Sequence, residues 1–462
     1  MMIDQKIDSF KIILVFAVLI LLCILFVYGL GNAALQSYDE AWYGEISRNI
    51  LLKKNLFELE FNGAPYTDHP PFGFWLMATS TAIFGSSEFS IRLVSALLGV
   101  GTILVVFLIG QKLKDKTTGL IASGVLLSSM WFVFRARSGN LDVPLLFFES
   151  LTVLFVLQKQ KKFLNLAGVS LGVLFLTKTL VGVGVLPVVF YLLWQKRKNL
   201  QTKDFFKALI IFLMVLLPWY MFTQLMNDNF YYHHFFEIGA RGQSNSFDLE
   251  NLRQGLSYLA IGIGKWYKVF LGSFGLLLVG LIKEKKNLSK VLLLILWLVG
   301  FSAFLFSGKV EIWHLLPMYP PIALLIAYSL VSFVELIKVK YLKIFLVIGC
   351  LSLTVFQFRQ FANLIYLPNS FSAEKDISIQ AAKYDQIYLM ETFLPVSVYY
   401  SQKNVYPLHW DPQAYQKMTR LLKDQPEAVF IINQTLLNSL NDDEIGFDVI
   451  TQNASYMIVG GK

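Results

Sequence analysis

Pro70-Pro71-Phe72-Gly73-Phe74-Trp75-Leu76-Met77-Ala78-Thr79-Ser80-Thr81-Ala82-Ile83-Phe84 is apolar enough to suggest a membrane span and too short to be one. As a helix it covers roughly 22 Å at 1.5 Å per residue, against a hydrocarbon core of ~30 Å. Its reading decides the topology. Counted as a span, it would throw the next basic loop to the opposite side of the membrane. Read as an interfacial or re-entrant helix in a long first outer loop, 31–89, it leaves eleven spans. These lie near 10–30, 90–111, 118–135, 142–157, 163–177, 179–194, 205–224, 256–282, 291–307, 313–336 and 342–357. The short basic loops then all share the side of Lys6 and Lys11: Lys112/Lys114/Lys116, Lys159/Lys161/Lys162, Lys196/Arg197/Lys198, Lys283/Lys285/Lys286 and Lys338/Lys340/Lys343. That is the positive-inside pattern, which predicts a cytoplasmic N-terminus and an extracytoplasmic C-terminus.

Composition agrees. Hydrophobic residues make up 55% and charged residues 15%, with 40 Phe and a mean hydropathy of +0.56. A soluble domain would carry roughly 25% charge. The expected class is an all-α polytopic membrane protein. Cys23 and Cys350 lie in apolar runs and have no metal-binding spacing. The first span ends without a small-residue cleavage site and reads as a retained helix. The net charge of +9 is orientation information, and no nucleic-acid partner is expected. Basic loops and short connections suit a bacterial cytoplasmic membrane.

The last hundred residues are more polar. Short alternating runs at 386–390, 427–432, 447–450 and 455–459 flank helix-like stretches such as 412–423. They predict a small extracytoplasmic α/β domain, 358–462, following a membrane domain, 1–357, that includes the 31–89 loop.

Unusual polar residues gather on the outer side. Asp39-Glu40 opens an amphipathic helix; Ser37-x-x-Glu40 fits a capping box, which accounts for Glu40 better than for Asp39. Asp142 opens a span just after Arg135 and Arg137, so an N-cap or an ion pair competes with a chemical role. Two outer acids can share a metal, or split the roles of base and charge partner. His69 precedes two prolines and reads either as a helix-start residue or as a metal or phosphate ligand. In the 225–255 loop, Tyr231-Tyr232-His233-His234-Phe235-Phe236-Glu237 predicts an interfacial helix, with Glu237 and Arg241 spaced to pair; a substrate or metal role is the alternative. Lys309 and His314 flank a span start, where snorkelling explains Lys309. Lys178, between two short apolar stretches, could balance a phosphate.

In this order the residues resemble the polytopic GT-C glycosyltransferases, in the branch of dolichyl-phosphate-mannose protein mannosyltransferases and aminoarabinose transferases of lipid A. The resemblance runs roughly over 35–325. It rests on Tyr38-Asp39-Glu40-x-x-Tyr43, Asp68-His69-Pro70-Pro71 with Trp75, Arg92-Leu-Val-Ser-Ala96, Leu141-Asp142, Leu176-Thr-Lys178, Phe235-Phe-Glu237 with Arg241, and Lys309 ahead of Leu315-Leu316-Pro317 and Tyr319-Pro320-Pro321. It implies an inverting transfer from a polyprenyl-phosphate sugar to a lipid, glycan or protein acceptor among the membrane lipids. Asp39 would be the base and Asp142 the second acid. Glu40, Tyr43, His69, Lys178, Arg241, Lys309 and His314 would meet substrate or phosphate. A divalent metal ion, if used, would draw on Asp39, Asp142 and Glu237. Two positions depart from the pattern: His69 stands where many relatives have Lys, and an acid–His pair of some aminoarabinose transferases falls on Glu237-Ile238.

A transporter or flippase of lipid-linked sugars is the rival from another class. It would place charges near the midplane and often shows inverted repeats. A scaffold displaying the C-terminal domain would leave the outer acids without a role.

Overall fold

A computed structural model describes residues 9–36, 38–238, 248–283, 288–337, 339, 341–366, 371–411, 413–437 and 447–461. Packing divides the chain into two compact units: Met1–Gly29, Thr67–Gly73 and Leu93–Leu367 in one, and Leu30–Tyr66, Phe74–Arg92 and Pro368–Lys462 in the other.

The first unit is a helical bundle. Among the described residues, five helices are long and apolar enough to cross a membrane, and a pair bent by 74°, Lys116–Leu127 with Met130–Ala136, makes a sixth. The longest, Lys162–Lys196, is two spans. Its helical geometry breaks at Lys178 (φ −159°, ψ 82°). Lys178 Nζ reaches Asp142 at the start of helix Asp142–Leu157, and Lys196 Nζ reaches the Gln158 carbonyl at its other end. The chain therefore reverses at Lys178, as the separate spans 163–177 and 179–194 require.

Among the described residues, four of the basic loops meet at one end of this bundle. Lys112 donates to Gln158, Lys161 pairs with Asp204, and Lys343 pairs with Asp115 and Glu335. The expected span 256–282 is broken instead. Helix Leu249–Ile263 stops at Gly264 (φ 62°, ψ −133°), backbone that essentially only glycine adopts, and Trp266–Lys283 starts afresh.

The second unit holds most of the first outer loop together with the C-terminal residues. The division at 357/358 thus does not follow the packing. Asn62 and Val405 exchange hydrogen bonds of 2.8 Å in both directions, Arg48 Nη1 donates to the Tyr399 carbonyl, and Tyr400 Oη accepts from Leu35 N. These partners lie more than 340 residues apart in sequence, beyond any local pattern. Phe72–Phe84 forms a 13-residue helix, in keeping with its short length.

The C-terminal part carries a five-stranded sheet. With β1 (Glu60–Phe61) and β2 (Ala64–Pro65) forming a hairpin, the sheet strands are β3 (Ile387–Leu389), β4 (Val405–Pro407), β5 (Val429–Asn433), β6 (Phe447–Gln452) and β7 (Tyr456–Gly461), in the order β4-β3-β5-β7-β6. β3 pairs parallel with β4 and β5, while β7 runs antiparallel to β5 and β6. Four of these strands fall on the alternating runs, and helix Ala414–Asp424 on the 412–423 stretch. Met418, Phe430, Ile432, Phe447 and Val459 share its core. β4 was not legible: three residues with two exposed carry no alternation.

Candidate functional site

Asn140 starts the site in the bundle. Its side-chain oxygen accepts from the backbone N–H of Asp142 (2.9 Å) and Val143 (3.0 Å), capping helix Asp142–Leu157. Asp142 is thereby freed from the cap. Its buried carboxylate lies between two cations, with Arg135 Nη2 2.5 Å from Oδ2 and Lys178 Nζ 2.8 Å from Oδ1. The expected pair with Arg135 is present; Arg137 instead donates to the carbonyls of Leu25, Phe26 and Tyr28 and lies over the Tyr366 ring. Arg135 also sits 5.5 Å from the Trp313 ring centroid. Two cations face one anion, so the cluster keeps a positive excess suited to an anionic ligand.

The break at Lys178 is what aims its ammonium at Asp142. The next residue, Thr179, bonds Tyr220, which in turn bonds His234 (3.4 Å), and His234 Nδ1 faces the Thr67 carbonyl (3.3 Å). This series joins two spans to the 67–71 segment. His69 lies in that segment, half-buried. Burial and the Lys178 cation hold its imidazole well below the usual range, against the opposing pull of Asp68 and Asp142. His69 is therefore neutral near neutral pH, a hydrogen-bonding group and not a cation for phosphate. His314 lies within electrostatic reach of Asp142, and its ring accepts from Glu311 N (3.1 Å). Lys309 is exposed in the preceding turn.

Residues His233–Glu237 form one stretch of π-helix, a distortion frequent at functional sites. The two histidines diverge, as adjacent helical residues must. His233 bridges two carboxylates, Asp68 (2.9 Å) and Glu237 (2.6 Å). Partial burial opposes its charge, but those two bonds prevail and raise its pKa. Glu237 is thus engaged by His233; Arg241, its expected partner, lies outside the described residues, as does Ser37 of the capping box.

Asp39 and Glu40 belong to the second unit and open helix Asp39–Lys53. Glu40 is 4% exposed. Arg92 donates to its Oε1 from Nε (2.7 Å) and to its Oε2 from Nη2 (2.8 Å), and Gln36 N donates to Oε2 (3.0 Å). The expected substrate role for Glu40 gives way to a structural one, because both oxygens are committed inside the protein. Asp39 beside it is half-buried. Tyr43 is buried, its ring 5.2 Å from that of Phe74 in a T-shaped contact.

A metal fits poorly at the expected acids. A divalent ion on Asp142 would sit against the two cations already on its oxygens, Lys178 and Arg135. Among the described residues, no group of three or more His, Cys, Asp or Glu is placed to hold one.

Residues 68–222 match the family described as dolichyl-phosphate-mannose-protein mannosyltransferase. Over 318 residues the chain is 28% identical to the undecaprenyl phosphate-alpha-4-amino-4-deoxy-L-arabinose arabinosyl transferase of Pseudomonas savastanoi, covering 66% of this chain and 58% of that one. It thus spans little more than half the length of that relative. In structure it matches ArnT from Cupriavidus metallidurans, solved bound to undecaprenyl phosphate, with a TM-score of 0.73 at 16% identity over 98% of both chains. The chain has the GT-C membrane fold. The oligosaccharyltransferase of Archaeoglobus fulgidus shares this fold more distantly, with a TM-score of 0.59 at 10% identity over 93% of this chain and 70% of the other.

Within the GT-C frame, the family match covers His69, Arg135, Asp142 and Lys178 and leaves out Asp39, Glu40 and Glu237. Sequence reasoning overlooked Glu149. It is fully buried one turn-pair below Asp142 and accepts from Trp297 Nε1. An acid inside an apolar span was the available signal.

Proposed function

We propose that this chain is a membrane glycosyltransferase that moves a sugar from a polyprenyl phosphate to an acceptor hydroxyl or phosphate. The carrying observation is the Arg135–Asp142–Lys178 cluster, its carboxylate buried, on a GT-C frame. In support, relatives are named as undecaprenyl-phosphate aminoarabinose arabinosyl transferases, and the ArnT structure holds undecaprenyl phosphate.

The chemistry divides among the residues as follows. The acceptor oxygen attacks the anomeric carbon, inverting it, while the bond from that carbon to the phosphate oxygen breaks. The acceptor proton passes to the Asp39 carboxylate, the role that the resemblance implies. The electron pair leaves with the polyprenyl phosphate. Lys178 and Arg135 offset the developing charge, and Asp142 holds both cations in place. Neutral His69 donates a hydrogen bond without adding charge. No step requires a metal. The acceptor is a lipid, glycan or protein at the outer face of a bacterial cytoplasmic membrane, with the basic loops inside.

The test is transfer from a radiolabelled polyprenyl-phosphate sugar pool in membranes carrying the wild type, Asp39→Asn or Asp142→Asn at equal expression. Labelled product with the wild type and a large loss in Asp39→Asn supports the reading. Survival of transfer in Asp39→Asn keeps the enzyme class and turns the search for the base to Asp142, while a loss in Asp142→Asn by itself is expected from the release of its two cations. Absence of transfer from every donor by folded protein sinks the enzyme and favours a transporter.

A further inference from the structure

We propose that the cleft beside the Gly264 break binds the phosphate headgroup of an anionic phospholipid from the surrounding bilayer. The cleft measures about 700 Å³ and is lined by Lys265, Lys268 and Gln360 on its polar side and by Met130, Phe361 and Leu364 among its apolar walls. Two lysines and no acidic residue are among the lining residues, so the lining carries a net positive charge. Both lysines are exposed, and their three-residue spacing puts them on one side of the chain as helix Trp266–Lys283 begins. Lys265 Nζ lies 4.9 Å from the Phe356 ring centroid.

The backbone at the break is held rigidly. Buried Gln357 accepts from Lys265 N (2.7 Å) and donates to the carbonyls of Ser128 (2.6 Å) and Ile263 (2.9 Å). A side chain at position 264 would meet Gln357 at 2.8 Å, so glycine is required by space as well as by φ. The cleft is therefore a formed feature and not a gap between mobile ends.

The surface around it is apolar and outward-facing. Ile261, Leu271, Phe356 and Leu364 are all more than half exposed, as lipid-facing side chains are. Lysines at such a border would snorkel in any case. Here they converge on a cavity of a size that suits a headgroup and the first part of an acyl chain. The anion that a bilayer supplies to a basic cleft with an apolar rim is a lipid phosphate. None of Arg135, Asp142, Lys178 or His69 lines the cleft, so it is separate from the site described above.

The experiment is native mass spectrometry of the full chain in detergent micelles, with phosphatidylglycerol or phosphatidylcholine of the same acyl chains. Wild-type protein is expected to retain phosphatidylglycerol after phosphatidylcholine has dissociated. Lys265→Gln with Lys268→Gln should cut that retention about thirtyfold, from roughly fivefold per lysine near a charged lipid surface. Lys265→Arg with Lys268→Arg should keep it, and the arginine pair shows that the loss is not misfolding. Three results overturn the proposal: glutamine variants that retain phosphatidylglycerol like the wild type, equal retention of phosphatidylcholine, or displacement of phosphatidylglycerol by equimolar undecaprenyl phosphate. The last would make the cleft a substrate subsite, and it bears on this inference while leaving the transferase reading to its own assay.

Discussion

Arg92 offers the sharpest test of how the outer acid is held. Its guanidinium has five N–H donors. Nε and Nη2 donate to Glu40, Nη1 donates to the carbonyls of Leu30 (2.7 Å) and Ala33 (2.8 Å), and Nη2 also donates to that of Ala34 (2.9 Å). All five donors are used, and both partners are buried. Arg92→Met would remove the guanidinium from both Glu40 oxygens and strip three carbonyls of its donors. Breaking a buried ion pair by removing one partner costs about 3–5 kcal/mol. Arg92→Lys should lose most of the same stabilisation, since three donors on one ammonium cannot span a carboxylate and three carbonyls. The damage is local, so the assay is hydrogen exchange by mass spectrometry over residues 30–48, with β5 as internal control. A loss of that size speeds exchange through local opening by roughly 150- to 5000-fold. Protection in Arg92→Met within tenfold of the wild type would refute the argument that this fork positions the start of the Asp39 helix.

Other outcomes follow from the remaining contacts. Lys178→Met should lower transfer by about 10²–10³-fold if the ammonium stabilises the leaving phosphate, whereas His69→Gln, replacing one neutral hydrogen-bonding group by another, should lower it far less; equal losses in the radiolabel assay would contradict these roles. His233 has a folded pKa raised above its unfolded value by Asp68 and Glu237. Its contribution is therefore fully present below the unfolded pKa, about 6.5, and is lost as pH rises through the higher folded value. The thermal midpoint in detergent should fall from pH 6 to pH 9, and His233→Gln should flatten that dependence. Trp297→Phe leaves the buried Glu149 carboxyl without its indole donor and should cost about 1–3 kcal/mol. Adding Glu149→Leu should recover most of the loss, and a double variant less stable than the single one would show that the carboxyl has another role.

Some of this protein was written locally. A continuous apolar run must close its backbone hydrogen bonds within itself in lipid, so a bundle of several apolar helices was readable from composition alone; of the eleven runs read as spans, five helices, or six with the bent pair, are long and apolar enough among the described residues. The lysine loops were readable because their charge is excluded from hydrocarbon, and the structure brings Lys112, Lys196 and Gln158 together as that count requires. Lys178 stood out for the same reason: a cation between two apolar stretches needs an anion or an edge. The alternating runs behind β3, β5, β6 and β7 were visible because a half-buried sheet imposes a period of two. The 70–84 stretch was set apart because counting it as a span would throw the next basic loop to the opposite side.

Other features depended on partners far away in the chain. Glu40 and Arg92 are separated by 52 residues, Lys178 and Asp142 by 36, and Asn62 and Val405 by 343. No window of sequence contains both members of such a pair. Asp142 could have been a cap or an ion-pair acid; only the fold shows that Asn140 takes the cap and releases the carboxylate to two cations. Glu40 read as a cap from its spacing to Ser37 and as a ligand only through the family resemblance, and its fate turned on a guanidinium brought in by another helix. The 256–282 run kept its hydropathy across Gly264, and hydropathy is blind to φ. Hydrophobicity and charge exclusion act residue by residue and so determined which segments enter the membrane. Ion pairing and hydrogen bonding act between residues, and which ones meet was decided by tertiary structure.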